Sequence, residues 1–239
     1  MKTPGLICRL PLAVMVLLVL SGCAGSKLGK VKEVGVTNMA KPERVLVLPF
    51  AADAKNVDTG SSTPLSLLSD ANEKTKIDEL VKEVNGALQE ELVTKLKEAG
   101  YIAVPSIPGT QPGKGELLIS GRWAKIDEGS AMKRNVIGFG AGQSLADAEV
   151  KVSGNTDQGI VDLISFTAHA DSGSKPGAAV LGPAGAAAGA GTAATVGANV
   201  ARGAASAYQS SSAHQAKEIA DKIVEELQAY SVKQGWVKK

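Results

Sequence analysis

Apolar residues recur at spacings of three and four between Glu73 and Ala99. Ile77, Leu80, Val81, Val84, Leu88, Leu92 and Leu96 share one face, Glu and Lys fill the other, and Gly100 follows as a stop. This predicts an amphipathic helix over 73–99. The same period returns near the end of the chain in Ala213, Ala216, Ile219, Ala220, Ile223, Val224, Leu227 and Tyr230, with Lys217, Glu218, Asp221, Lys222, Glu225 and Glu226 opposite. It predicts a second helix over 204–232.

Strand signals are shorter. "RVLVLPF" (Arg44 to Phe50) is a brief β-branched and Leu run stopped by Pro49, and "YIAVP" follows the first helix. Strand, helix, strand in that order predicts a βαβ start with the helix on one sheet face. "ELLISGRWAKID" (Glu116 to Asp127), "SLADAEVKVS" and "GIVDLISFTAHA" predict three further strands. No segment between these three is long and apolar enough for a crossover helix, so they are expected to pair antiparallel. The expected fold is α/β (α+β): one domain, a mixed sheet of about five strands, and two amphipathic helices packed on it. The polar stretch 51–72 is expected to be a long loop.

The N-terminus must be set aside from this core. Lys2 and Arg9 precede an apolar run, Leu10 to Leu20, that is shorter than the roughly 20 apolar residues a membrane-spanning helix needs. "LSGC" follows at once, and this tetrapeptide resembles the bacterial lipobox, which is cut just before a cysteine that becomes acylated. Residues 1–22 are therefore expected to be a lipoprotein signal peptide and Cys23 the lipidation site. Two or three acyl chains make a durable anchor where one is marginal. Ala24 follows instead of Asp, which by resemblance to enteric lipoproteins points to the outer membrane. Residues 23–43, polar and Lys-rich, read as a lipidated tether; as a coil of about twenty residues it would span on the order of 25 Å. A short strand around Val31, Val34 and Val36 is the competing reading.

Composition narrows the function classes. Cys8 leaves with the signal and Cys23 is acylated, so no thiol remains for a disulfide, metal cluster or nucleophile. The formal charge of +2 falls to zero once Lys2 and Arg9 are removed, which argues against a nucleic-acid partner. His169 and His214 sit in different elements and read as surface positions at element ends; neither belongs to a metal or triad pattern. No catalytic residue, cofactor, metal or small-molecule substrate is identified, and the chain is expected not to be an enzyme. "IGFGAGQS" (Ile137 to Ser144) lacks the helix that a phosphate-binding glycine loop must precede. Its glycines read as backbone freedom or close packing, and Lys133 and Arg134 upstream as a solvated turn, with an anion held by them and exposed backbone amides as the alternative.

The segment 177–203 is Gly/Ala-rich. Its glycines each disfavour a helix by about 1 kcal/mol relative to Ala, so it is a poor single membrane span. It reads as a small-residue packing surface such as Gly185 to Gly189, as a linker, or as a membrane insert of several copies. The core domain is then 44–176, with 204–239 the C-terminal helix belonging to it.

"RVLVLPF", "GRWAKIDEGSAMKRNVIGFGAGQSLADAEVKV", "SGSKPGAAVLGPAGAAAGA" and "AKEIADKIVEELQAYSVKQGW" together resemble the bacterial lipoprotein family known as domain of unknown function 4410, from about Arg44 to Trp236. The most specific part is Asp127 to Gly142. The resemblance implies a cell-envelope lipoprotein and transfers no activity. The expected role is non-enzymatic, structural or protein-binding, with the membrane as one partner and an envelope protein or a second copy as another. A self-assembling membrane complex built on the Gly/Ala segment is the alternative, and an unrecognised envelope enzyme the second.

Overall fold

A computed structural model describes residues 25–37, 39–60, 70–130, 133, 141–173, 208–209 and 211–237. Cys23, Arg134, most of the Gly-rich passage and the whole of 177–203 lie outside them. Among the described residues nine strands form one mixed sheet. In chain order they are β1 (Gly25–Leu28), β2 (Lys32–Glu33), β3 (Arg44–Val47), β4 (Ala51–Ala52), β5 (Val57–Asp58), β6 (Ile102–Pro105), β7 (Glu116–Asp127), β8 (Leu145–Thr156) and β9 (Gly159–Asp171). The helices are α1 (Asp70–Glu98) and α2 (Ser212–Lys233).

The main path runs β1-β9-β8-β7-β3-β6. β3 lies between β6 and β7 and is parallel to both; its parallel pairing with β6 follows from α1, which returns the chain across one face before β6 begins. β7, β8 and β9 pair antiparallel, β8 turning into β9 over Asp157 and Gln158. Val45, Val47, Ala103, Leu117, Ile119, Ala148, Val150, Val152, Phe166 and Ala168 are buried in the core beneath the helices. α1 contributes Val84, Leu88, Leu92 and Leu96, all without solvent exposure, and α2 contributes Ile219, Ala220, Ile223 and Leu227. The two helices lie side by side on that single face, joined by Lys95 to Asp221 (3.3 Å) and Lys217 to Glu91 (3.6 Å). This is an α+β single domain.

Polar groups fix how α1 meets the sheet. Asn85 Oδ1 accepts from Phe50 N (2.9 Å) and Trp123 Nε1 (3.1 Å), while its Nδ2 donates to Phe50 O (3.0 Å). Gln89 Nε2 donates to Val47 O at 3.0 Å. Two side chains of the helix thus hold the backbone just beyond β3 at Phe50 and add a second donor to Val47 O, which also accepts from Ser106 N (2.8 Å).

Three expectations need correcting. The sheet has more than five strands, because β4 and β5 extend the parallel ladder along β7 from within the stretch read as a loop. Residues 23–43 do not behave as a free coil over their described part: β1 and β2 pair antiparallel with β9. The residues just after them bind the end of α2, with Thr37 N donating to Gln234 Oε1 (2.8 Å) and Trp236 Nε1 to Met39 O (2.9 Å). An edge strand is held by backbone hydrogen bonds on one side and needs little apolar area, so a Lys/Gly-rich segment can form one. Helix bounds also move: α1 starts at Asp70, and α2 starts at Ser212, where Ser211 Oγ caps it by accepting from His214 N.

Candidate functional site

The sheet face opposite the helices is open and polar. Alternation puts Arg122, Asp147, Glu149, Lys151, Thr167 and His169 on it, since their neighbours Trp123, Ala148, Val150 and Ala168 are buried on the other side. Opposite charges face one another across the strands. Arg122 and Glu149 are direct register partners and form a bidentate pair at 2.8 and 2.6 Å, and Lys151 reaches Asp162 at 2.8 Å. Exposed pairs of this kind contribute little to stability, because solvent screens them. Their larger effect is on register, since a one-residue slip would send the charged set into the core.

His169 is the most constrained group on this face. Asp147 stands directly opposite it on β8, and Asp171 follows two residues later on the same side of β9. Nδ1 lies 2.6 Å from Asp147 Oδ1 and Nε2 lies 2.9 Å from Asp171 Oδ2. Carboxylates only accept, so both ring nitrogens must donate, and that requires the imidazolium. Partial burial works against the charged ring, but the two carboxylates outweigh it and hold the His169 pKa above its ordinary value. A groove of about 390 Å³ beside the ring is lined by Lys27, Leu28, Gly29, Ala124, Glu149 and Thr167, among others. An imidazolium clamped at both nitrogens has no lone pair to take a proton or bind a metal. What it does chemically is tie β8 to β9 near the sheet end.

The sign of the pH dependence follows. With the folded pKa raised above the unfolded value of about 6.5, the stabilisation is complete below that value and disappears as pH rises through the folded pKa. His169→Ala is therefore expected to lower the melting temperature more at pH 5.5 than at pH 9. The side chain is 35% exposed, so solvent screening limits the effect to no more than about 1 kcal/mol. Thermal melts of both proteins across that range check it.

A second cluster involves the described start and end of the Asp127 to Gly142 passage. Three strands stop in the same turn: Asp58 Oδ1 accepts from Gly60 N (2.9 Å), Asp127 Oδ1 from Gly129 N (2.8 Å) and Asp171 Oδ1 from Gly173 N (2.8 Å). Each of these glycines has a positive φ, between 65° and 69°. Register aligns the three turns in one row, Asp58–Asp127–Leu145–Asp171–Gly25. Glu128 then reaches the N-terminus of α2. Its Oε2 accepts from Ser212 N (2.9 Å) and makes a short bond with Ser212 Oγ, while its own amide donates to Asp58 O (2.9 Å). A carboxylate at a helix N-terminus is favoured by the amides there and by the helix dipole. Ser130 N donates to Gly142 O at 2.9 Å, closing the passage on itself. The described part of the family-like motif thus locks loops to a helix end.

The sheet separates the two histidines: His169 is on the open face, His214 in α2 on the covered one, against the Tyr208 ring at 5.2 Å. Lys133 is exposed, and Arg134 lies outside the described residues. Among the described residues no group of three or more His, Cys, Asp or Glu could hold a metal ion, and no helix is long and apolar enough to cross a membrane. Sequence reasoning placed His169 on the surface but missed its carboxylate partners. Asp171, two residues on, was the available signal; Asp147 was not legible without register.

No curated protein matches the chain. Among solved structures it is similar to PelC from Paraburkholderia phytofirmans, titled a dodecamer. A point variant of PelC aligns at 15% identity over 59% of this chain and 79% of that one, TM-score 0.30; a second crystal form gives 14%, 59%, 80% and 0.30. Protein XCC0632 from Xanthomonas campestris, titled as DUF330, aligns at 16% identity over 84% of this chain and 95% of its own, TM-score 0.32. Likeness this distant assigns no function. A family model does match most of the chain, over residues 45–189, and the chain accordingly belongs to the family described as Domain of unknown function (DUF4410).

Proposed function

We propose that this protein is a lipid-anchored component of the bacterial cell envelope whose role is non-enzymatic, presenting a folded domain to another envelope protein. The observation that carries this reading is the "LSGC" tetrapeptide placed directly after the apolar run Leu10 to Leu20. Cleavage there would make Cys23 the first residue of the mature chain and its sulfur the attachment point for diacylglycerol. Ala24 at the next position favours the periplasmic face of the outer membrane.

The open sheet face supports a binding role. Its charges on β7, β8 and β9 include pairs matched across strands, and its one histidine is spent on a double ion pair. Such a face suits recognition by complementary polar contacts better than general acid–base work, which needs a group free to gain or lose a proton.

Cys23→Ser is expected to shift the protein from the membrane fraction almost entirely to the soluble fraction and to abolish acyl-chain labelling. Intact-mass measurement of the wild-type mature terminus gives the direct check. A terminus other than Cys23, or one without a fatty adduct, overturns the reading. A pull-down from native membranes with the acylated protein would then identify the partner.

A further inference from the structure

We infer that the edge formed by β1 and β2, at the corner of the sheet where β1 begins, rests on an anionic phospholipid surface through Lys27, Lys30 and Lys32. This deepens the lipid-anchor reading and rests on it. A tether of about twenty residues would leave the domain free to turn. The structure removes that slack. β1 begins at Gly25, two residues after Cys23, and two residues reach at most about 7 Å. Gly25 is register partner to Asp171, which continues the row through Leu145, Asp127 and Asp58. An acylated Cys23 therefore holds the β1 end of that row close to the headgroups.

The charge of this corner fits the same surface. Lys27, Lys30 and Lys32 are all exposed. None of them joins an ion pair among the described residues, and the one acid in the segment, Glu33, is taken by Lys233 at 2.7 Å. Register puts Lys27 opposite His169 and Lys32 opposite Ser165, four residues apart on β9 and so on the same face of the sheet. The nearby acids are engaged. Asp171 is held by His169 and the Gly173 amide, and Asp127 by Lys125 and the Gly129 amide. Asp58 lies on the far side of β7, away from β1. What this corner presents without a partner is lysine, and lysines beside an acyl anchor are drawn to anionic headgroups.

The opposite edge of the sheet is far from the bilayer in this arrangement. β6 stands five strands from β1 in the sheet order, about 24 Å away at roughly 4.8 Å per strand. Single cysteines test the geometry cleanly, because Cys8 leaves with the signal and Cys23 is blocked. Full-length acylated protein carrying a fluorophore at Gly35→Cys, exposed just after β2, or at Ile107→Cys, exposed just after β6, would be reconstituted in vesicles containing a headgroup-nitroxide lipid. The vesicles would be of phosphatidylethanolamine alone or of phosphatidylethanolamine with phosphatidylglycerol. The Gly35 label is expected to be quenched at least about twofold more than the Ile107 label, because the two stand at opposite edges of the sheet. Lys27→Glu with Lys30→Glu and Lys32→Glu is expected to erase that difference in phosphatidylglycerol vesicles, with an unchanged thermal melt showing that the domain still folds. Equal quenching of the two labels, stronger quenching at Ile107, or a triple variant that behaves like wild type overturns the inference. Mass analysis of the same preparations separates the two failures. An unmodified Cys23 refutes the anchor itself, whereas an acylated Cys23 with the wrong quenching pattern refutes only the contact surface.

Discussion

Asn85→Leu is expected to destabilise the protein by about 2–4 kcal/mol, as several groups lose their partner at once. Leucine is a better helix former than asparagine and adds apolar area, so local propensity alone predicts a gain. The tertiary contacts reverse that. Phe50 N and Trp123 Nε1 would both lose their acceptor and Phe50 O its donor. Phe50 is 2% exposed and Trp123 1%, so water cannot readily replace the missing bonds. Leucine also lacks the planar amide that fits between the end of β3 and the indole. At roughly 2–4 °C per kcal/mol for a domain of this size, the melting temperature should fall by about 5–15 °C. Asn85→Asp separates the causes, since it keeps the acceptor for Phe50 N and Trp123 but loses the donor to Phe50 O. Calorimetry showing either variant at wild-type stability would refute the role assigned to Asn85.

Gly60→Ala is expected to cost about 3 kcal/mol or more, an effect of a different origin. Gly60 has φ of +65°, where an L-residue is strained by roughly 1 kcal/mol. A methyl group there would lie 1.8 Å from the carbonyl oxygen of Gly129. That neighbour is backbone, so it cannot rotate away. The Asp58 and Asp127 turns would have to separate, and the Asp127 turn carries Glu128 to the start of α2. The damage should therefore appear at a distance. Amide exchange at Ser212 and His214 is expected to speed up by more than tenfold, the equivalent of about 1.4 kcal/mol, while exchange in the β8–β9 hairpin changes little. Uniform acceleration across the domain would argue against a local lock.

Much of the architecture was legible before any coordinates. Periodicity located both helices and the faces they bury: Val84, Leu88, Leu92, Leu96, Ile219, Ile223 and Leu227 are fully enclosed, as their spacing requires. The order strand, helix, strand implied the parallel β3–β6 pair, and the lack of an apolar crossover helix implied the antiparallel β7, β8 and β9. These signals are local, because burying a stripe of a helix or one side of a strand constrains neighbouring residues along the chain. The strands that escaped notice, β1, β4 and β5, have no stripe to bury, and β2 lies within the short strand weighed around Val31 to Val36 only as the competing reading. All four are two to four residues long and held chiefly by backbone hydrogen bonds, which any side chain permits.

The rest was decided by register, a relation between residues far apart in sequence. Asp147 and His169 face each other because β8 and β9 pair in one alignment and not its neighbour; shifted by one residue, the aspartate would point into the core. Asp58, Asp127 and Asp171 look like unrelated turn residues until the sheet lines them up. Sequence alone determined which residues are helix and which are core strand, for those follow from spacing within a short window. Tertiary structure alone decided that the Lys-rich start is an edge strand, that His169 is clamped between two carboxylates, and that the Asp127 turn holds the head of α2. Each depends on which distant groups the packed core brings within hydrogen-bond reach.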